Sequence, residues 1–456
     1  MAESILIGCG AGFSGDRVDA AQAIVKTLIS RQKKSVLIFE MLAERTLALG
    51  QLAKNQNAQL GYEPLLEDIL TPILKDCVAH HIPIVSNFGA ANPSGAARLI
   101  QKLAKEQDIH HLKIAVIEGD DILNKINLSE LQIWEGDLEL SISADDPIAA
   151  NVYIGAESIA QALTQGAQIV VTGRVADPAL TVGPVVEHFD WGWQDWDKIA
   201  AATMAGHLLE CGSQVTGGYF ADPGYKDVPD LANVGFPIAE IFEDGRVIIS
   251  KADNTGGLVS IQTVKEQLLY EIHDPANYYT PDVILDITQV ALTETGHNQV
   301  ELTGAKGKPR PDTLKATVSF MGSWFGEGEI SYAGQNAGNR AKLAANVLKE
   351  RADKLDARFD YRLDLIGAVS VLDSNKADLL ASMPLNQLTD VRVRMAVNGA
   401  DKKNVERLMN EVNALYCCGP AGGGGVRTSV KSSVRTVSYL VPRSLISTHF
   451  HFIQEN

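Results

Sequence analysis

Gly8-Cys9-Gly10-Ala11-Gly12-Phe13-Ser14-Gly15-Asp16-Arg17 decides how the first half of the chain folds. Before it, Ser4-Ile5-Leu6-Ile7 reads as a short buried strand. After it, the pattern from Val18 to Val25 reads as a helix. Strand, glycine turn and helix form the opening of a parallel α/β unit. The same grammar recurs downstream. Strands are expected at Ile5–Gly8, Ser35–Glu40, Ile82–Asn87, Lys113–Glu118 and Gln168–Gly173, each short and rich in Ile or Val. Such runs suit parallel strands buried on both faces. Helical patterns fill the gaps at 17–30, 63–80, 94–107 and 156–166. The expected fold class is therefore α/β, a parallel sheet flanked by helices.

Beyond Gly173 the rhythm changes. Helices are expected at 178–188 and 196–210. Asp244-Gly245 marks a hairpin between Ile238–Phe242 and Arg246–Ser250. A helix is expected at 258–271. A β-rich region follows from 283 to 332, and a helix spans 336–354. From Tyr361 the order is strand (361–371), helix (375–381), strand (390–397), helix (401–416), the glycine run Gly422–Gly425, and strand (430–440). Two domains are expected, 1–355 and a smaller α+β domain at 356–456.

The chain has 456 residues and a formal net charge of −16. That balance disfavours sequence-independent nucleic-acid binding, which needs a basic face. Five cysteines without a C-x-x-C spacing suit reduced thiols in a cytoplasmic protein. No run of about 18 apolar residues occurs, so no membrane span is expected. G-x-S-x-G, H-E-x-x-H and Walker A motifs are absent from the sequence.

Ligands of open parallel sheets sit beyond the carboxyl ends of the strands. Those ends carry Gly10 and Gly12, then Glu40, Asn87 with Asn92, Glu118 to Asp121, and Arg174 with Asp177. Glycines let a ligand approach the backbone, so a shared pocket is expected there. The spacing Gly10, Gly12, Gly15 fits a dinucleotide loop. Glu40 follows Gly15 at 25 positions, against about 20 for the usual ribose-binding acid. Asp16 and Asp19 argue the other way, because carboxylates at the helix start repel a pyrophosphate. A tight turn lining the pocket is the better reading, with Asp16 as a helix cap and Arg17 facing an anionic substrate. In the 196–210 helix, His207, Glu210 and Cys211 share one face, a set suited to proton transfer or part of a metal site. The loop Lys251–Gly257 before the 258–271 helix, with Asn254 in it, reads either as a set of amides that meets an anion or as a simple N-cap loop.

The sequence resembles the acyclic terpene utilisation protein A family. The resemblance rests on Gly8–Arg17, on Thr172-Gly173-Arg174-Val175-Ala176-Asp177-Pro178 and its continuation to Pro184, and on Ala205-Gly206-His207-Leu208-Leu209-Glu210-Cys211-Gly212. It covers about residues 4–355, and the segment 361–442 resembles the small ferredoxin-like unit that accompanies the family. The resemblance implies a role beside biotin-dependent acyl-CoA carboxylase subunits in the breakdown of acyclic terpenoids and branched acids. It favours a small-molecule substrate, such as an acyl-CoA, over a nicotinamide cofactor. The expected activity is that of a lyase or hydratase on a branched 3-hydroxyacyl-CoA or related carboxylate. Glu210 or His207 would be the base. Arg174 and the amides near Gly10 and Gly12 would hold an oxygen, and Asp177, Asn87 and Asn92 would orient the substrate. The alternatives are a non-catalytic scaffold that binds acyl-CoA or a carboxylase, and a nicotinamide-dependent reductase. A homo-oligomer is expected. Cofactor and metal stay open.

Overall fold

The structure is a computed structural model that describes residues 3–125, 127, 130–135, 147–355, 359–373 and 382–454. It divides into two compact units, Met1–Ser319 with Thr436–Asn456, and Phe320–Arg435.

The first unit opens with β1 (Ser4–Cys9), β2 (Ser35–Phe39), β3 (Ile84–Ser86), β4 (Ile114–Glu118), β5 (Gln132–Glu135), β6 (Ala149–Val152) and β7 (Ile169–Val171). The strands β1-β2-β3-β7-β4 lie side by side and parallel. These are the five strands read from the sequence, and they are buried on both faces. The sheet as a whole is mixed. The hairpin β8 (Pro237–Phe242) and β9 (Val247–Lys251) adds antiparallel to β1, and β12 (Ala291–Gly296) and β13 (Gln299–Thr303) extend it further. At the other end β19 (His449–Phe452) pairs antiparallel with β4. Antiparallel strands thus cover both edges of the parallel core, edges that would otherwise expose unpaired backbone groups.

On one face pack α1 (Ala20–Arg31), the short helices α3 (Leu66–Leu70) and α4 (Leu74–Ala79), and α5 (Pro93–Glu106); α2 (Glu44–Gln56) lies between β2 and α3 in the chain. Their apolar stripes meet Leu6, Leu37, Phe39, Ile84, Val116 and Val171. Alternate residues point to the opposite face. There α6 (Glu157–Thr164), α7 (Ala179–Phe189) and α8 (Trp196–Glu210) pack in succession, and α9 (Ile261–Leu269) packs on α8. The single helix expected at 63–80 is two, because Pro72 lacks an N–H and clashes with the preceding turn. The expected helix start at 17 moves to Ala20, since turns at 14–15 and 18–19 precede it.

A small three-stranded sheet joins β10 (Tyr278–Tyr279), β11 (Ile284–Asp286) and β14 (Lys306–Lys308). Beside it, Asp282 accepts the Ala156 N–H with both carboxylate oxygens, at 3.0 and 3.2 Å. Burial lifts its carboxyl from the usual 3.8 to about 6. A carboxyl raised on folding contributes stability below its unfolded pKa, and that contribution is lost as pH rises through the folded value. Wild type should therefore lose stability between about pH 4 and 6 relative to Asp282→Asn. Urea unfolding of both proteins across that window checks this, and parallel pH curves would contradict it.

In the second unit the antiparallel order is β16 (Asp360–Ile366), β17 (Asp390–Gly399), the later part of β15 (Thr313–Ala333) and β18 (Gly423–Pro442). Helices α10 (Ala337–Lys354) and α11 (Lys402–Cys418) bury Ala341, Leu348, Leu408 and Val412 against Val393, Met395 and Ile330. The helix expected at 375–381 lies outside the described residues. The strand expected to start at 430 begins at Gly423, taking in most of the glycine run. Among the described residues no helix is long and apolar enough to cross a membrane.

Candidate functional site

The five parallel strands end at one rim, and each contributes a loop. After β1 the chain turns through Gly10–Gly15. The Gly10 N–H is taken by the Ile38 carbonyl at 2.8 Å. The Gly12 N–H donates to Asp16 Oδ2 at 2.9 Å and the Arg17 N–H to Asp16 Oδ1 at 2.8 Å. Asp16 is thus bound to the glycine loop and does not cap α1, whose N-cap Asp19 makes no side-chain bond. Gly15 sits at φ 95°, a left-handed conformation that favours glycine. Arg17 turns outward and donates to the Ala232 carbonyl at 2.9 Å.

Gly12 lies against the end of α8. A β-carbon there would come within 2.4 Å of the Cys211 carbonyl carbon. That neighbour is backbone and cannot yield cheaply. Gly12→Ala should therefore lower stability by about 1–3 kcal/mol, read as a fall in the thermal midpoint. An unchanged midpoint would show that the two loops do not meet.

Glu40 ends β2 and is buried. Its Oε1 accepts from Asn87 Nδ2 at 2.8 Å and from the Leu42 N–H at 2.9 Å. Asn87, from the β3 loop, is held in turn by the Met41 N–H on its Oδ1 at 2.8 Å. Burial pushes the Glu40 carboxyl well above the usual range, the Asp177 charge adds to this, and Arg174 opposes it.

Asp120, after β4, is buried and accepts from Asn151 Nδ2 at 2.9 Å and from the Arg174 N–H at 2.8 Å. Arg174, after β7, is 1% exposed. Its guanidinium donates to the carbonyls of Leu42 and Val175 and to Asp177. It also stacks on the Tyr153 ring at 4.5 Å. The Asp177 side chain keeps 34% of its exposure, so this is where the cluster meets solvent. Glu44 accepts the Tyr153 hydroxyl at 2.6 Å and the Lys315 ammonium at 3.3 Å. Burial works against its ionisation, yet the Tyr153 bond and the Lys315 and Arg174 charges hold it at about 2.

α8 brings the last group. His207 Nδ1 meets Glu210 Oε1 at 2.8 Å, and both residues are buried. Their outer atoms, His207 Nε2 and Glu210 Oε2, have no hydrogen-bond partner among the described residues. Burial lifts Glu210 to about 7 against the pull of His207, and the Asp177 charge adds to the lift. For His207, burial acts downward and the Glu210 charge outweighs it, raising the imidazole. The two titrate as a coupled pair. The Tyr278 ring lies 5.4 Å from the imidazole. Gly206, one residue earlier, packs on Pro178 and so keeps α8 against the Arg174–Asp177 loop.

The rim thus gathers Gly12, Glu40, Asn87, Arg174, Asp177, His207 and Glu210. Asn92 sits apart as the N-cap of α5, accepting the Gly95 N–H at 3.0 Å, while its amide donates to the Ala58 and Leu60 carbonyls. Asn254 is exposed in the β9–α9 connection at φ 57°. The start of α9 is closed by a Ser260–Thr263 capping box. Glu40 and Asp120 carried a signal, since each follows a strand. Glu44, Tyr153 and Tyr278 carried none, because only the fold brings them in. Among the described residues no three His, Cys, Asp or Glu side chains are grouped to hold a metal ion. A separate cavity of about 180 Å³ lies at the opposite rim, by the amino ends of β2, β3 and β7, lined by Lys34, Cys77, His81 and Glu187 among others.

Fold and rim define an α/β protein with large mixed sheets and a buried cluster of carboxylates, one arginine and one histidine at the carboxyl ends of its parallel strands. The chain belongs to the acyclic terpene utilisation family: the family described as "Acyclic terpene utilisation family protein AtuA" matches residues 5–452, a span reaching into both compact units. No curated protein matches the chain. Among solved structures, the chain is similar to an amidase of the hydantoinase/carbamoylase family from Burkholderia phymatum. That likeness has 12% identity and a TM-score of 0.17, over 27% of this chain and 30% of that one.

Proposed function

We propose that this protein is a cytoplasmic enzyme of acyclic-terpenoid and branched-chain acyl-CoA breakdown, a lyase or hydratase acting on a branched 3-hydroxyacyl-CoA or a related carboxylate. The observation that carries this reading is the buried His207–Glu210 pair with two unpartnered outer atoms. An unpartnered buried polar atom costs about 1–3 kcal/mol. Buried polar atoms are nearly always paired, so two adjacent open atoms on one His–Glu pair mark a place where a polar group of a ligand can bond. A base works best with a pKa near the working pH, and Glu210 at about 7 meets that requirement.

In the lyase reading, the Glu210–His207 pair takes the proton of the 3-hydroxyl. The carbonyl forms as the Cα–Cβ bond breaks, and the electron pair passes to the thioester enolate. Asp177 faces the substrate from the solvent side. Arg174 acts as a positioning residue, since its donors already hold Asp177 and two carbonyls. Asn87 acts the same way through Glu40. A homo-oligomer, association with biotin-dependent carboxylase subunits and a ferredoxin-like small domain belong to the same proposal.

The test is turnover of a panel of 3-hydroxy-3-methylglutaryl-type thioesters. Product release is expected from at least one of them. Retention of carboxylase subunits in a pull-down, with no turnover of any thioester, would replace the enzyme with a scaffold. The nicotinamide reading is disfavoured by Asp16, whose carboxylate occupies the Gly12 N–H that would face a pyrophosphate. NADH titration should leave the tryptophan fluorescence unchanged, and saturable quenching would restore that reading.

A further inference from the structure

Cleavage or dehydration of a 3-hydroxyacyl thioester needs a second group. As the Cα–Cβ bond breaks, the enolate carbon must receive a proton; in dehydration, the leaving hydroxyl must. The His207–Glu210 pair has by then accepted a proton from the other side of the reaction and serves as base.

We propose that Glu40 is the proton donor of this site, delivering from Oε2 while Asn87 and the Leu42 amide hold Oε1. The inference rests on the lyase or hydratase reading above. Three observations carry it. First, Oε1 already accepts two hydrogen bonds, from Asn87 Nδ2 and Leu42 N–H, so the carboxyl is fixed in orientation. Asn87 cannot swing away, because the Met41 N–H pins its own oxygen. Second, Oε2 accepts no bond from the described residues, yet it is not one of the atoms sealed from solvent. It is the free end of an otherwise buried side chain, 7% exposed. Third, Glu40 has no ion-pair partner among the described residues. The Arg174 guanidinium spends its contacts on Asp177 and the Leu42 and Val175 carbonyls, and Lys315 turns to Glu44. A buried carboxyl that no cation contacts disfavours the charged form, and the more distant Arg174 charge offsets this only in part.

The groups around Glu40 agree. Cys9 at the end of β1, Asp177 and Arg174 after β7, and Cys211 after α8 all interact with it electrostatically. Burial and the Asp177 charge hold its proton on, and the Arg174 charge opposes them. Two carboxyls in one site, one protonated and one exchanging its proton near neutrality, form an acid–base pair set by environment. The proton balance closes: one proton leaves the 3-hydroxyl for the base, one passes from Glu40 to carbon, and solvent restores both groups.

The test measures kcat over about pH 5 to 9 for wild type and Glu40→Gln, on the thioester wild type turns over fastest. Glutamine keeps a carbonyl oxygen for both donors, so thermal unfolding should change little. Wild-type activity should fall on the alkaline side, as the donor loses its proton. Glu40→Gln should lower kcat by about 100-fold or more and remove that alkaline descent. A variant within about 3-fold of wild type overturns the assignment of Glu40 alone. A wild-type profile flat through the alkaline range overturns it too, whether or not the variant folds. No turnover of any thioester by wild type overturns the underlying reaction, and the donor with it.

Discussion

Arg174→Ala should be the most destabilising single change in the first unit, by about 3–5 kcal/mol. The guanidinium is 1% exposed and stands among Glu40, Glu44 and Asp177. Removing it leaves the Asp177 and Glu44 carboxylates without the guanidinium that favours their charged forms, and it frees the Leu42 and Val175 carbonyls. It also opens a void where one of the largest fully buried side chains packs on Tyr153. The Asp177 carboxylate is a third exposed, so water recovers part of its loss. Most of the effect therefore comes from the buried groups. Arg174→Lys should recover only part, because an ammonium cannot reproduce the planar fork. Urea unfolding reads the result as a lower midpoint at an unchanged m-value. A midpoint within experimental error of wild type would mean that the rim is not held together by this residue.

Glu210→Gln should lower turnover by about 10²- to 10⁴-fold while leaving the fold intact. The glutamine keeps shape and a hydrogen bond to His207 but cannot take a proton. The sign of the pH dependence follows from its environment. A base must be ionised to act, and burial lifts Glu210 to about 7. Wild-type activity should therefore rise with pH through about 7, and the residual activity of the variant should lack that rise. Stability moves the other way. A carboxyl raised on folding loses its stabilising contribution as pH rises through the folded value. At alkaline pH the variant should thus be at least as stable as wild type. His207→Ala should give a loss of the same order, since it removes the partner that fixes the Glu210 oxygen. Full activity in either variant would remove the pair from the chemistry.

How much of this was legible in the sequence depended on distance along the chain. The parallel strands could be read because each is a continuous apolar run, buried on both faces. Helix α2 left no such trace: only Leu47 and Ala48 are buried along it. The placement of the β8–β9 hairpin against β1 could not be read, because the pairing residues are more than 200 positions apart. The site divides in the same way. His207 and Glu210 are three apart on a helix, so their meeting follows from helical geometry. The Glu40–Asn87 bond spans 47 positions and the Arg174–Leu42 bond 132, and no local pattern encodes either. Asp16 was legible as an obstacle to an anion but not as the acceptor of the Gly12 N–H, which depends on the turn at 14–15.

The most direct measurement is a structure of the protein bound to a thioether analogue of a branched 3-hydroxyacyl-CoA, in which the bond to be broken cannot react. The acyl group is expected at the carboxyl rim, with its 3-hydroxyl toward Glu210 and its α-carbon toward Glu40, and with Asp177 at the entrance. An acyl group seated instead in the opposite-rim cavity beside Lys34, His81 and Glu187 would contradict the assignment of the site and of every residue placed in it.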